Sequence, residues 1–119
     1  MDKSLLVINT LVFFDQLKKG ISQSEMIDTI YQLGVTKAEV RREFIKDFEL
    51  ELEDLKKKAS DLNMELFYSV PELLYIEGKL QTESIENYFK EAFAMGCCHV
   101  KMNIGDYHVI TFDDINKLN

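Results

Sequence analysis

The chain has 119 residues, of which 46% are hydrophobic and 29% are charged, and this balance excludes both a disordered chain and one made of membrane spans. Its 14 basic and 21 acidic residues give a formal net charge of −7, which repels phosphate backbones and anionic headgroups. We therefore expect no nucleic acid and no membrane as partners. The length fits a single domain over residues 1–119, and the adjacent Cys97 and Cys98, which could join only with strain, suit the cytoplasm.

Four apolar, β-rich segments recur along the chain, and each precedes a segment of helical periodicity. They cover residues 5–13, 38–44, 64–70 and 99–104. Parallel strands cannot be joined by a tight turn, so this alternation predicts parallel strands connected by right-handed helical crossovers. The predicted fold class is α/β, with about four (β/α) units.

The first two helices have recognisable start and stop signals. Ser22 with Glu25 three residues later is a capping box, and Gly34 ends the first helix. The second helix is predicted to begin near Asp47, with Asn63 as a left-handed stop.

The third and fourth helices follow the same pattern. Thr82 is predicted to cap the third helix and Gly96 to close it. Its predicted buried stripe consists of Ile85, Tyr88, Phe89, Ala92 and Phe93. A fourth helix is predicted from Thr111, because Asp113 and Asp114 suit the positive end of a helix dipole.

Charged residues interrupt the second predicted strand, where a parallel strand covered on both sides would be apolar. The period of two places Glu39, Arg41 and Glu43 on one face, opposite Ala38 and Val40. The last strand repeats this arrangement. Its polar face consists of His99, Lys101 and Asn103, and its apolar face of Val100, Met102 and Ile104.

In a barrel, the polar face of these strands is the interior. Charged groups there need partners or water, so they indicate a polar pocket. Active sites of barrels gather at the C-terminal ends of the strands. The residues nearest those ends are Arg41, Glu43, Lys101 and Asn103, with Ser69, Asn9 and Thr10 at equivalent late positions. Glu39 and His99 lie lower and are expected to be structural. Alternatively, Glu39 and Arg41 form a structural ion pair, or the polar face is the wet side of an open sheet.

Three segments resemble the xylose-isomerase-like TIM-barrel family, which includes sugar phosphate isomerases, epimerases and endonuclease IV relatives. They are Glu-Val-Arg-Arg-Glu at residues 39–43, Tyr-Ser-Val-Pro-Glu at 68–72 and Val-Lys-Met-Asn-Ile-Gly-Asp-Tyr at 100–107. The resemblance implies that the chain is the N-terminal half of a (β/α)₈ barrel, truncated before the second half.

It also implies aldose–ketose isomerisation or epimerisation with a divalent metal. In the family the metal ligands and acid/base groups come mainly from strands five to eight, so we expect no metal ligand here and no activity from this chain alone. The role that the resemblance leaves to this chain is contact with the substrate, a sugar or sugar phosphate. Arg41 and Lys101 would bind phosphate or sugar oxygens, and Glu43, Ser69 and Asn103 would bind hydroxyls.

Two other interpretations stay open. A flavodoxin-like or receiver-like sheet is the main rival fold, while dinucleotide, P-loop, nucleophile-elbow and Cys-x-x-Cys motifs are absent from the sequence. The alternative function is a non-enzymatic half-barrel or open α/β module. A half-barrel has two open strand edges, which favours a homodimer through them.

Overall fold

A computed structural model of the chain describes residues 3–97 and 99–105, which form one mixed sheet of five strands and four helices. The strands are β1 (Ile8–Asn9), β2 (Lys37–Arg41), β3 (Glu65–Ile76), β4 (Lys79–Leu80) and β5 (Val100–Gly105). The helices are α1 (Phe14–Lys18), α2 (Gln23–Gln32), α3 (Phe48–Leu62) and α4 (Thr82–Ala94). The predicted helix from Thr111 lies outside the described residues.

Four of these strands run parallel, in the order β1, β2, β3, β5. Ala38 of β2 pairs with Ile8 on one side and Leu66 on the other, and Tyr68 of β3 pairs with Val100 of β5. The connections between these strands contain helices, as parallel pairing requires. The predicted α/β class with mostly parallel strands is confirmed, and closure into half of a barrel stays a prediction.

The third strand is longer than predicted, and it carries an antiparallel hairpin. β3 continues past Pro71 and turns at Glu77 and Gly78, both with positive φ, into β4. Its pairing with β5 shifts register between Ser69 and Leu73, which is a bulge. A proline in a bulge removes no ladder hydrogen bond, so β3 continues through Pro71 beyond its predicted end at residue 70.

The first two strands are shorter than predicted. After β1, residues Thr10–Phe13 form a 3₁₀ turn, because the Asn9 side chain accepts a hydrogen bond from the Leu11 amide at 2.8 Å. β2 ends at Arg41, and Arg42–Phe44 form another 3₁₀ turn. Glu43 therefore lies in a turn, which corrects its predicted place on the strand.

The predicted helix ends agree with the structure at most positions. Ser22 accepts a hydrogen bond from the Glu25 amide, Asp47 accepts one from the Leu50 amide at 3.1 Å, and Asn63 has φ of 53°. Thr82 is an exception. It is the first helical residue, and the cap position belongs to Gln81, whose side chain makes no capping bond.

The helices cover one face of the sheet, called here the helix face, where Ala38, Val40, Leu66, Tyr68 and Val70 are buried. Helix α4 departs from its predicted stripe, because Phe89 and Phe93 are exposed. Each of them is two positions along the helix from Glu91, so both lie about 200° around the helix from the side that contacts Arg42 and β3. No helix in the described ranges is long and apolar enough to cross a membrane.

Candidate functional site

The other side of the sheet carries a group of largely polar side chains, called here the polar face. It consists of Asn9, Glu39, Arg41, Phe67, Ser69 and Lys101. These residues alternate with the positions of the helix face, so the strand period alone puts them on one side, and Ser69 among them is itself buried, with 5% exposed. The faces predicted for strands β2 and β5 are confirmed here with two exceptions. Glu43 lies in the turn after β2, and Ile104 on the helix side of β5 is exposed.

Three of the predicted binding residues form one row across neighbouring parallel strands. Arg41 pairs with Ser69, and Ser69 pairs with Lys101. Arg41 is the last residue of β2, so the row lies at the C-terminal end of that strand. The row thus brings together two cations and a hydroxyl at the edge where sites of parallel sheets occur.

Glu39 links three strands just below this row. Its carboxylate accepts a hydrogen bond from the Asn9 side-chain amide and lies 3.8 Å from the ammonium of Lys101. The Glu39 side chain is only 13% exposed, whereas that of Lys101 is largely in solvent. The position of Glu39 low on its strand predicted a structural role, but its contact with Lys101 makes it part of the candidate site.

Glu43 and Asn103 flank the row at different heights. Glu43 forms an ion pair with the Arg41 guanidinium. The Glu43 carboxylate therefore lies next to Arg41, although Glu43 itself is in the turn after β2. Asn103 pairs with Leu73 beyond the bulge, two residues above Lys101, and is exposed. Neither residue has a described contact with Ser69.

The buried Gln23 side chain fixes the end of β2 and thereby positions Arg41. Its amide oxygen accepts hydrogen bonds from the Arg41 backbone N–H at 2.8 Å and from the Thr10 hydroxyl at 2.7 Å. Its amide nitrogen donates to the Arg41 carbonyl at 2.7 Å. The side chain is 1% exposed. Its amide group bonds the N–H and the C=O of Arg41 as the backbone of a neighbouring strand would. No local pattern predicts this role, because Gln23 is simply the first helical residue after the Ser22 cap.

Phe67 is the residue of the polar face that the sequence analysis missed. It lies two residues before Ser69, so the strand period could have identified it. Its ring stacks on His99, with centroids 4.9 Å apart, and His99 lies 3.7 Å from a Glu65 carboxylate oxygen. An aromatic surface therefore borders the charged row from below.

The helix face contains a separate polar cluster near the end of β2. Glu91 accepts two hydrogen bonds from Arg42, at 2.8 and 3.1 Å, and one from the Tyr68 hydroxyl at 2.7 Å. The Arg42 guanidinium lies 4.8 Å from the ring centroids of both Phe48 and Tyr88. These contacts tie β2, β3, α3 and α4 together.

The same cluster shifts the pKa of its members. Burial and then the hydrogen bond to Glu91 raise the pKa of Tyr68 well above its usual range. The bond to Glu91 raises the pKa of Arg42, while burial acts the other way. Burial, followed by the charge of Glu72, raises the pKa of Tyr88. With raised pKa values, Tyr68 and Arg42 keep their protons at ordinary pH, which suits a structural role and not acid/base catalysis.

A groove of about 740 Å³ lies along the outer surface of α3 beside Ala94. Phe48 and Leu52 are part of its lining, and charged side chains such as Glu49 and Lys56 border it. It lies on the helix side of the sheet, away from the row formed by Arg41, Ser69 and Lys101, so it is not part of the polar face.

The described residues do not fit the divalent metal that the family resemblance implies. Among residues 3–97 and 99–105, no group of three or more His, Cys, Asp and Glu side chains could hold a metal ion. Glu39 has amide and ammonium neighbours, and His99 has a single carboxylate nearby. No metal ligand is therefore assigned.

No protein-family model matches the chain, and no curated protein is significantly similar to it. The xylose-isomerase-like resemblance, with its sugar substrate and its metal, thus stays a prediction.

Proposed function

We propose that this chain supplies the substrate-contacting N-terminal half of a TIM-barrel sugar isomerase or epimerase. The observation that carries the proposal is the row formed by Arg41, Ser69 and Lys101 at one level of three neighbouring strands. Such a row offers converging hydrogen-bonding groups to a ligand that lies across the strand ends.

The chemistry of the polar face favours a polyhydroxylated ligand. Lys101 and Arg41 donate hydrogen bonds to sugar or phosphate oxygens, while Ser69 and Glu39 accept them from hydroxyl groups. The neighbouring carboxylates of Glu39 and Glu43 repel a phosphate dianion, so the sugar hydroxyls provide most of the recognition. The ligand class is a sugar or a sugar phosphate, with the sugar hydroxyls engaged by the row.

Catalysis by the chain alone is not part of the proposal. The family resemblance assigns the metal ligands and the acid/base groups mainly to later strands. This chain is expected to bind sugar weakly and to leave aldose and ketose unconverted, with or without added manganese or magnesium.

The test is a titration of the 119-residue chain by NMR with D-xylose, D-xylulose 5-phosphate and inorganic phosphate as separate ligands. We expect shifts confined to the polar face with the two sugars, and weaker shifts with phosphate alone. Lys101→Met should weaken sugar binding about tenfold, roughly 1.4 kcal/mol, because it removes a charged donor.

The matched control is Lys90→Met, which removes an exposed lysine from α4 on the helix side of the sheet. It should leave binding unchanged. If both variants respond alike, or if no sugar shifts the resonances of residues on the polar face, the sugar-binding proposal is wrong.

A further inference from the structure

Both lateral ends of the described α/β layers expose apolar side chains. At one end, the β1 flank consists of Leu5, Val7 and Leu33, and at the other, the β5 flank consists of Phe89, Phe93 and Ile104. Leu5 is 79% exposed and Phe93 is 80% exposed, and clustered apolar side chains at a surface often mark an interaction site.

Local contacts define the position of each flank. Lys3 donates a hydrogen bond to the Leu33 carbonyl at 2.9 Å, which holds the N-terminal turn against the end of α2. On α4, Glu91 contacts Arg42 and Tyr68 of β3, so Phe89, which is 52% exposed, lies on the side away from them. The flanks therefore lie on opposite outer sides of the helix layer.

The backbone is open at the same two ends. Within the described residues, β1 pairs only with β2, and β5 pairs only with β3. Each outer edge thus offers backbone N–H and C=O groups to a further parallel strand.

We infer that two copies of this chain associate with the β5 flank of each copy against the β1 flank of the other. The arrangement is a closed pair about a twofold axis parallel to the strands, in which both polar faces line one interior. This pairing rests on the proposed barrel, because only a sheet that curves toward closure brings both flanks together in a pair.

The exposed apolar area is large enough for this association. The six flank side chains leave roughly 600 Å² uncovered at one junction, and a closed pair has two junctions, or about 1,200 Å² in all. Specific interfaces bury about 1,200–2,000 Å². Each copy carries a net charge of −7, so salt should strengthen the pair by screening the repulsion.

The pairing would also complete the candidate site. In one copy, Arg41, Ser69 and Lys101 cover one side of a ligand and leave its other side in water. The second copy would place an equivalent row opposite, which encloses a small ligand as binding sites usually do.

The test measures mass by sedimentation equilibrium of the whole chain at roughly 50 μM, about fifty times a micromolar Kd. We expect a dimer, with a Kd that falls as salt is raised. Phe93→Glu should raise this Kd at least tenfold. Leu50→Glu is the control, because Leu50 is exposed on α3, away from both flanks, and it should leave the Kd unchanged.

Three results would overturn the pairing. One is a wild-type monomer. If, in addition, Phe93→Glu lowers its Tm while Leu50→Glu does not, another segment of the same chain covers the β5 flank. Another is a series of larger species, which indicates open-ended association instead of a closed pair. The third is a dimer that Phe93→Glu leaves intact. The sedimentation runs contain no sugar, so their outcome is read separately from the sugar titration.

Discussion

The two faces of this sheet come from the same alternating strands, yet they use polar groups in different ways. On the helix face, Glu91 accepts three hydrogen bonds from Arg42 and Tyr68, and the Arg42 guanidinium lies against the rings of Phe48 and Tyr88. On the polar face, Glu39 and Lys101 meet at 3.8 Å with the lysine in solvent. Polar groups therefore stabilise the fold on one face and remain available to a ligand on the other.

The largest effect is expected from breaking the cluster on the helix face. Glu91→Ala leaves the Arg42 guanidinium without its carboxylate between two rings, and loss of one partner from a shielded ion pair costs about 3 kcal/mol. Urea unfolding would measure this change in the free energy of unfolding. Glu86→Ala, an exposed position on the same helix, should cost less than about 0.5 kcal/mol. Equal losses in the two variants would contradict the role assigned to Glu91.

A smaller effect is expected at the boundary between the faces, where Gln23 holds the end of β2. Gln23→Leu leaves the Arg41 peptide groups and the Thr10 hydroxyl without their partner, at a cost of about 2 kcal/mol. The same change should also weaken the binding of any ligand that contacts Arg41, because the end of β2 is held less firmly.

Gln32→Leu is the control for this change, since Gln32 is the exposed last residue of the same helix. Thermal melts of both variants would compare them. If Gln23→Leu is as stable as the wild type, its hydrogen bonds do not hold the strand end.

The smallest effect is expected from pH, and it too should belong to the helix face. Tyr68 keeps its proton in the folded state above the pH of about 10 at which an unfolded tyrosine ionises. Above pH 10 the folded chain binds more protons than the unfolded chain, so stability falls as pH rises, by up to about 1.4 kcal/mol per pH unit.

Unfolding free energies at pH 9, 10 and 11 would measure how steeply stability falls with pH. Tyr68→Phe should make this fall less steep, even though the variant is less stable than the wild type at pH 8. Tyr31→Phe, at an exposed position, should leave the slope as it is. A slope that is identical in all three proteins would contradict the assignment to Tyr68.

Much of the fold could be predicted from short-range signals. The caps at Ser22 and Asp47 and the left-handed Asn63 are set by local backbone chemistry, which the sequence expresses directly. The face assignments of Glu39 and Arg41 followed from the strand period. The α/β class follows from the alternation of these elements.

The features that were missed depend on contacts between distant residues. Gln23 and Arg41 are eighteen residues apart, and Arg42 and Glu91 are forty-nine apart, so no local pattern predicts their pairing. Phe89 and Phe93 fit a buried stripe by their spacing, but which side of α4 is covered depends on its neighbours in the layer. The continuation of β3 through Pro71 depends on a bulge against β5.

The unequal strand lengths make the rim around the polar face uneven. β1 contributes two residues, while β3 contributes twelve and extends upward into its hairpin with β4. At about 3.3 Å per residue, this is a difference in height of roughly 30 Å. Beside Asn9 and Glu39, the sheet is short at β1 and extends much farther at β3. A molecule can therefore reach these two residues more directly from the β1 side than from the β3 side.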